Sequence, residues 1–382
     1  MTATTKAIVL LDGPEKAAIR DVPKPKLRDG YVLVKVHAVG LNPTDWKSID
    51  NRFGDAGSKS GCDYTGIVEE VGENLGKPFK KGDRIAGFAH GAYVPSAYRA
   101  VLDNDVLQPT NVGDSNSIQH DDGAFSPYAV AKADIALRIP DNLSFEQAAT
   151  LGVSITTVGQ GLYRALKLPL PTQPLETPEP ILIYGGSTAT GIFGIQFAKL
   201  SGYTVISTSS AQHHDYLREL GADAVFDYKS PTCGADIKAW VEGRGQKLRK
   251  AWDCVSVESS GEICARALAD DKEGGTYSAL LGVDKEKLLA VNKNLKGPLT
   301  TLGYLAFGEE FRRGSNTVAA VPGELQHANM FWELARGLLE EGKIQTVRPT
   351  VNKGGDGLEG VLKGLDELRQ GRVSGEKLVY TL

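Results

Sequence analysis

"YGGSTATG", Tyr184 to Gly191, is the stretch from which the fold of this chain can be read. The apolar run Ile181-Leu182-Ile183 precedes it, and Ile192-Phe193-Gly194-Ile195-Gln196-Phe197-Ala198 follows. A buried strand, a turn of small residues and a helix therefore stand in order. That is the layout of a phosphate cradle. The first glycine permits a tight turn, Gly191 lets the helix approach the strand, and the helix N-terminus offers N–H groups and partial positive charge to a pyrophosphate. The middle glycine of G-x-G-x-x-G is missing, because the third position counted from Gly186 is Thr188. Thr188 should hold the backbone slightly further from a phosphate, with Ser187, Thr188 and Thr190 offering hydroxyl donors in compensation.

Downstream the pattern repeats. "TVISTS" is a strand, "HDYLRELGA" a helix, "AVFDY" a strand, "GADIKAWVEG" a helix, "KAWDCV" a strand, "EICARAL" a helix and "GGTYSALLG" a strand. Such alternation predicts a parallel sheet with right-handed crossovers, the doubly wound α/β plan. Upstream the chain reads as β. "YVLVKVHAVG" (Tyr31 to Gly40) and "YTGIVEEVG" (Tyr64 to Gly72) alternate, and "GDRIAGF" follows a glycine turn. His37, inside an alternating strand, is read as a satisfied side chain. At Ser144 the texture changes: "SFEQAATLGVSITTVGQGLYRAL" opens with Glu146 and Gln147 close behind, a helix start. The proline-rich "PLPTQPLETPEP" then delivers the chain to Ile181. Two helical stretches near the end lead to "GEKLVYTL", a final strand suited to return to the β domain. Gly91 to Asn116 fits neither texture, and is longer than the ~12–15 residues usual for loops. It reads either as a lid near a cleft or as an inert insertion or translation artefact.

The bulk numbers exclude several classes. At 382 residues the chain is long enough for two domains. A net charge of −4 with interspersed signs gives no basic face for nucleic acid or anionic lipid. No apolar run reaches the ~18 residues of a membrane span. The N-terminal "MTATTKAIVLLDGPEKAAIRDVP" is neither a secretory signal nor a good transit peptide, so a cytosolic protein is expected. The four cysteines, Cys62, Cys233, Cys254 and Cys264, lack any C-x-x-C pair and suggest neither a disulfide framework nor a structural zinc site.

The end of the next strand selects the dinucleotide. An NAD site usually places Asp or Glu there for the ribose hydroxyls. Here "VISTSSAQHH" has no acid before Asp215, and Ser209, Ser210, Gln212 and His213 can donate to a 2′-phosphate. No arginine stands in the usual place. NADPH is the expected cofactor.

"LNPTDWK" (Leu41 to Lys47), "GCDYTGIVEEVG", "GAFSPY", "IPDNLSFEQAATLG", "YGGSTATG", "SGYTVISTSS", "GADAVFDY" and "VSGEKLVY" together carry a resemblance. Over nearly its whole length the chain resembles the medium-chain dehydrogenase/reductase superfamily, and within it the fungal enoyl reductases that act in trans on polyketide synthases (the lovastatin type). The resemblance implies a GroES-like β-rich catalytic domain over 1–150, completed by 345–382, and a Rossmann domain over 151–344. It implies cofactor contacts at Thr44, Asp45, Trp46 and Lys47, and pyrophosphate contacts at Ser187, Thr188, Ala189 and Thr190. Ser210, Ala211, Gln212 and His213, with Tyr228, would meet the adenosine 2′-phosphate end. Leu280 and Leu281 would follow the strand that passes the nicotinamide, and Val373 and Ser374 would approach the cofactor from the tail. The substrate groove would be lined by Val158, Gly159, Gln160, Gly161, Leu162, Tyr163, Arg164 and Ala165, and by Leu302, Gly303, Tyr304, Leu305 and Ala306. A strand-end aromatic is the alternative reading of Tyr228.

The resemblance also exposes an absence. Where zinc alcohol dehydrogenases carry a cysteine, a glycine-histidine-glutamate motif and a third ligand, this chain has Asn42, Gly61-Cys62-Asp63 and Val153. One thiol cannot hold a catalytic zinc that needs three protein ligands, so no metal is expected. A zinc-free member suits hydride transfer to the β-carbon of an α,β-unsaturated carbonyl, with the enolate stabilised and then protonated. Lys47 is the candidate catalytic residue for that charge; holding a phosphate or ribose, and an ordinary solvated lysine, are the other readings. Three functions are carried forward. The first is a trans-acting enoyl reductase serving a synthase carrier domain, expected as a monomer. The second is a free-standing quinone or enone reductase. The third is a catalytically silent NADPH-binding protein.

Overall fold

A computed structural model describes residues 4–92, 122–313 and 316–382. From residue 93 onward, the stretch read above as lid or insertion lies outside the described residues. In the first part, β1 (Thr4–Leu10) pairs antiparallel with β2 (Ala17–Pro23). β3 (Tyr31–Gly40), β4 (Asp63–Val71), β5 (Arg84–Phe88), β6 (Tyr128–Lys132) and β7 (Ala136–Arg138) follow. The alternation of Tyr31–Gly40 appears as a strand over those same residues, its Val32, Val34 and Val36 buried in one core.

The second part contains β8 (Pro180–Tyr184), β9 (Thr204–Ser209), β10 (Ala224–Asp227), β11 (Lys250–Asp253), β12 (Thr276–Ala279) and β13 (Lys296–Thr300). They form one parallel sheet in the order β10-β9-β8-β11-β12-β13, the doubly wound order. All five residues of β8 are buried, as a parallel strand covered on both faces requires. The short strands β14 (Phe311–Arg313) and β15 (Asn316–Val318) pair antiparallel. After the helix Glu324–Glu340, β16 (Pro349–Val351) and β17 (Lys377–Thr381) return to the first part, β17 pairing with β3. The sheet there runs β16-β17-β3-β4-β5-β7, with β6 also on β3. The terminal strand thus closes the β-rich sheet as its sequence suggested.

One core spans the junction, joining Phe88 and Leu137 to Ile155, Leu162, Trp252, Tyr304 and Phe331. Trp252 is its wedge. A Cβ on Gly194 would lie 2.7 Å from its ring and one on Gly161 only 2.4 Å, so both segments close on the indole because they carry glycine.

The single helix expected from Ser144 is broken into three pieces. Ser144 does cap the first turn, Phe145–Ala148, its Oγ accepting from the Gln147 amide in a capping box. A second helix, Gly152–Val158, then runs into a π-helical stretch, Gly159–Ala165.

Candidate active site

A cavity of about 710 Å³ opens between the two sheets. The glycine-rich turn forms one wall. Gly185 takes φ +77°, and a Cβ on Gly191 would meet the Gly185 carbonyl at 2.3 Å, so both positions require glycine. Thr188 caps the helix Ala189–Leu200. Its Oγ1 accepts from the Gly191 amide at 3.0 Å and donates to the Gly185 carbonyl at 2.8 Å. The hydroxyl expected to reach a phosphate is therefore committed to holding the turn. The first-turn amides of Ala189 and Thr190 have no intrahelical acceptor, and both residues line the cavity with Ser187 and Thr188. The cradle fits a dinucleotide pyrophosphate.

At the end of β9, Ser210 leads into the one-turn helix Ala211–His213. His213 Nε2 lies 2.9 Å from Ser374 Oγ and 3.2 Å from Gln212 Nε2. Gly375, at φ +74°, makes room for the imidazole, which a Cβ there would meet at 2.5 Å. Burial first, then the charges of Arg348 and His214, hold the His213 pKa below its ordinary value. Arg348 is one residue that motif reading did not single out. It precedes β16, is exposed, and lays its guanidinium 3.8 Å over the Tyr216 ring, beside His213. No local signal marks it, because the fold delivers it from well over 100 positions downstream of β9. The acid that follows, Asp215, is paired with Arg218 at 2.8 Å. Tyr228 is exposed after β10 and does not line the cavity.

The opposite wall comes from the helix Pro43–Asp50. Thr44 and Lys47 line the cavity. Asp45 does not: it is buried, and its Oδ2 accepts from the Asn42 amide at 2.7 Å in the helix capping box. Burial and the neighbouring Asp63 charge push its carboxyl up to about 7. Trp46 packs on the β-domain core, its ring 5.6 Å from the Lys47 ammonium and 5.9 Å from the Arg369 guanidinium. Of the four positions expected to meet the cofactor, the cavity wall takes Thr44 and Lys47, whereas Asp45 and Trp46 turn to the helix cap and the β-domain core.

Leu280, Leu281, Leu302, Gly303, Tyr304, Leu305, Val373 and Ser374 also line the cavity, with Phe88, Val153 and Thr157. Leu281 and Val255 remain exposed there although apolar, a surface suited to a ring or acyl chain. Tyr304 Oη lies 2.9 Å from Thr44 Oγ1 and 3.5 Å from Cys62 Sγ. Burial raises the phenol pKa well above its ordinary value, so it stays a neutral donor. Ala306 is buried behind this wall.

The segment Val158–Ala165, expected on the groove, does not line the cavity. Val158 and Leu162 are core residues, Gly159 abuts Phe331 and Gly161 abuts Trp252. Gln160 Nε2 donates to Glu324, Tyr163 Oη meets Ser201 Oγ at 2.9 Å, and Arg164 pairs with Glu324. Ala165 closes this π-helical stretch. The groove takes Val153 and Thr157 from the preceding helix instead, because the stretch turns inward to pack against Phe331 and Trp252.

The positions matching zinc ligands do assemble, but as the wrong donors. Asn42 and Asp63 share the ammonium of Lys377, and Asp63 Oδ1 accepts from the Val153 amide at 2.8 Å. Burial pushes the Cys62 thiol up, disfavouring the thiolate a metal needs. Among the described residues no three His, Cys, Asp or Glu side chains could together hold a metal ion. The residues do not fit zinc. No helix among them is long and apolar enough to cross a membrane.

Comparison with known proteins agrees with this architecture. Residues 28–141 match the alcohol dehydrogenase GroES-like domain, and residues 189–319 match the family described as zinc-binding dehydrogenase. The chain is 42% identical to the trans-enoyl reductase resD of Aspergillus sclerotiorum, covering 98% of this chain and 99% of that protein. It is 40% identical to the trans-enoyl reductase ACTTS2 of Alternaria alternata, covering 99% of each. A mycobacterial protein solved in complex with NADPH shares the fold, with a TM-score of 0.68 at 20% identity, covering 99% of this chain and 100% of the other. The chain belongs to the medium-chain dehydrogenase/reductase family, within its branch of trans-enoyl reductases, oxidoreductases acting on C=C bonds.

Proposed function

We propose that this cleft reduces the C=C bond of an α,β-unsaturated thioester with NADPH, in trans, on an acyl chain presented by a polyketide or polyketide–peptide synthase carrier domain. The observation that carries the reading is the cleft itself. It joins a pyrophosphate cradle at Ala189 and Thr190 to an apolar wall at Leu280, Leu281, Leu302 and Leu305. Thr44, Lys47 and Tyr304 supply donors, and no metal donor set stands among them. The relatives' names as trans-enoyl reductases support the substrate class.

NADPH, when bound, supplies hydride to the substrate β-carbon. Ser187, Ala189 and Thr190 hold its pyrophosphate. Ser210, Ala211, Gln212 and His213 border its 2′-phosphate, with Arg348 as the cation that favours it. Lys47 stabilises negative charge developing on the thioester oxygen, and the neutral Tyr304 phenol, bonded to Thr44, is a second donor on that side. Val373 and Ser374 close over the cofactor from the tail. The chain is proposed to act as a cytosolic monomer, in keeping with four free, buried cysteines.

The test is consumption of NADPH by purified protein given an enoyl pantetheine thioester, with NADH and a free quinone as comparisons. Turnover of the thioester supports the reading. Turnover of the quinone alone supports a free-standing reductase, and NADPH binding without any turnover supports a silent protein.

A further inference from the structure

Lys377 is almost wholly buried, at 2% exposure, and Asp63 is at 0%. An ammonium and a carboxylate removed from water are costly unless every proton and lone pair finds a partner. Here they do. Lys377 Nζ donates to Asn42 Oδ1 at 2.8 Å, to Asp63 Oδ2, and to the Thr150 carbonyl at 3.2 Å, so its three protons meet three acceptors. Asp63 Oδ1 takes the Val153 amide. The backbone is shaped around this knot. A Cβ on Gly40 would lie 2.2 Å from the Ala149 carbonyl and 3.2 Å from Lys377 Cε, and one on Gly152 would lie 2.3 Å from Asp63 Oδ1. Four separate parts of the chain converge: the residue capping helix Pro43–Asp50, the start of β4, the start of helix Gly152–Val158, and β17.

Of the converging positions, Asn42 and Val153 are ones at which the resemblance places zinc ligands, Asp63 follows the remaining one at Cys62, and Lys377 matches none. With all three protons engaged, Lys377 has none left for substrate. What it grips is Asn42, the N-cap of the helix that presents Thr44 and Lys47 to the cavity. We propose that the buried Lys377 ammonium, neutralised by Asp63, is the cross-link that holds this helix in its working pose. Lys377 is therefore a positioning residue for the reduction.

This rests on the enoyl-reduction reading, and the test separates the two. Lys377→Met alone strands a buried carboxylate, so the informative protein is Lys377→Met/Asp63→Asn, which removes both charges with little change in volume. The expected result is a folded protein with NADPH Kd within about threefold of the parent. Its kcat on an enoyl thioester should be at least roughly tenfold lower, with KM moving less. Asn42→Ala, which leaves the ion pair intact, should give a similar fall in kcat. Combining it with the double change should add little, because both act through one link. Unchanged kcat in either variant, or losses that multiply when combined, overturns the proposal. If the paired variant does not fold, Asn42→Ala alone decides by the same split of kcat from Kd. If the parent protein reduces no enoyl thioester, it is the functional reading that fails.

Discussion

Replacing Arg348 with alanine removes a cation that the fold brings to the end of β9. Its guanidinium rests on Tyr216 at 3.8 Å and is close enough to His213 to lower that imidazole's pKa, so it stands beside the group bonded to Ser374 at 2.9 Å. A hydrogen bond to a charged group contributes about 1.5–3 kcal/mol, and Arg348 is exposed, which places it at the lower end. That corresponds to a rise of roughly tenfold in the NADPH Kd. NADH, lacking the 2′-phosphate, should bind Arg348→Ala within about twofold of the parent. Titration of both nucleotides by quenching of protein fluorescence reads the two constants directly. Raising the salt concentration should shrink the NADPH difference, because an exposed charge pair is screened over about 8–10 Å. If Arg348→Ala keeps the full preference for NADPH, or weakens both nucleotides alike, the arginine does not read the phosphate. If the parent binds the two equally, the preference itself is wrong.

Three further outcomes follow from the site. Lys47→Ala should lower turnover by roughly 10²–10³ while changing NADPH affinity much less; lost affinity with normal turnover at saturation would make Lys47 a cofactor clamp. Asp45 bears on pH. Its folded pKa of about 7 exceeds the unfolded value of 3.8, so the folded state binds more protons between them and loses stability as pH rises through that window. Asp45→Asn, which keeps an acceptor for the Asn42 amide, should flatten this decline in melts taken from about pH 4 to 7, and a parallel decline in both proteins counts against the buried carboxyl. Purified protein should carry well below one zinc per chain, and chelators should spare activity; stoichiometric zinc needed for turnover contradicts the donor chemistry at Asn42, Cys62 and Asp63.

What was legible in the sequence was whatever local chemistry determines. The strand–turn–helix at Tyr184–Gly191, the alternation in Tyr31–Gly40 and the capping box at Ser144 are each set by residues within a few positions of one another. What stayed hidden depends on contacts made at long range. Lys377 meets Asn42 across 335 positions and Asp63 across 314, and no spacing announces such a bond. Arg348 escaped for the same reason. Val158–Ala165 differs in kind: the resemblance placed it on the groove, and its position against Phe331 and Trp252 depends on Gly159 and Gly161, which sequence alone does not pair with those rings. Thr188 was read as a phosphate donor because sequence shows a hydroxyl but not the Gly191 amide and Gly185 carbonyl that occupy it.

The most direct test of the account follows the hydride itself. The protein is mixed with NADPH deuterated at its transferable position and an α,β-unsaturated pantetheine thioester, and the product is examined by mass spectrometry and NMR. The account predicts a saturated thioester with one deuterium on the β-carbon and a solvent proton on the α-carbon. Deuterium on the carbonyl carbon, or thioester recovered unsaturated while NADPH is bound, would contradict it.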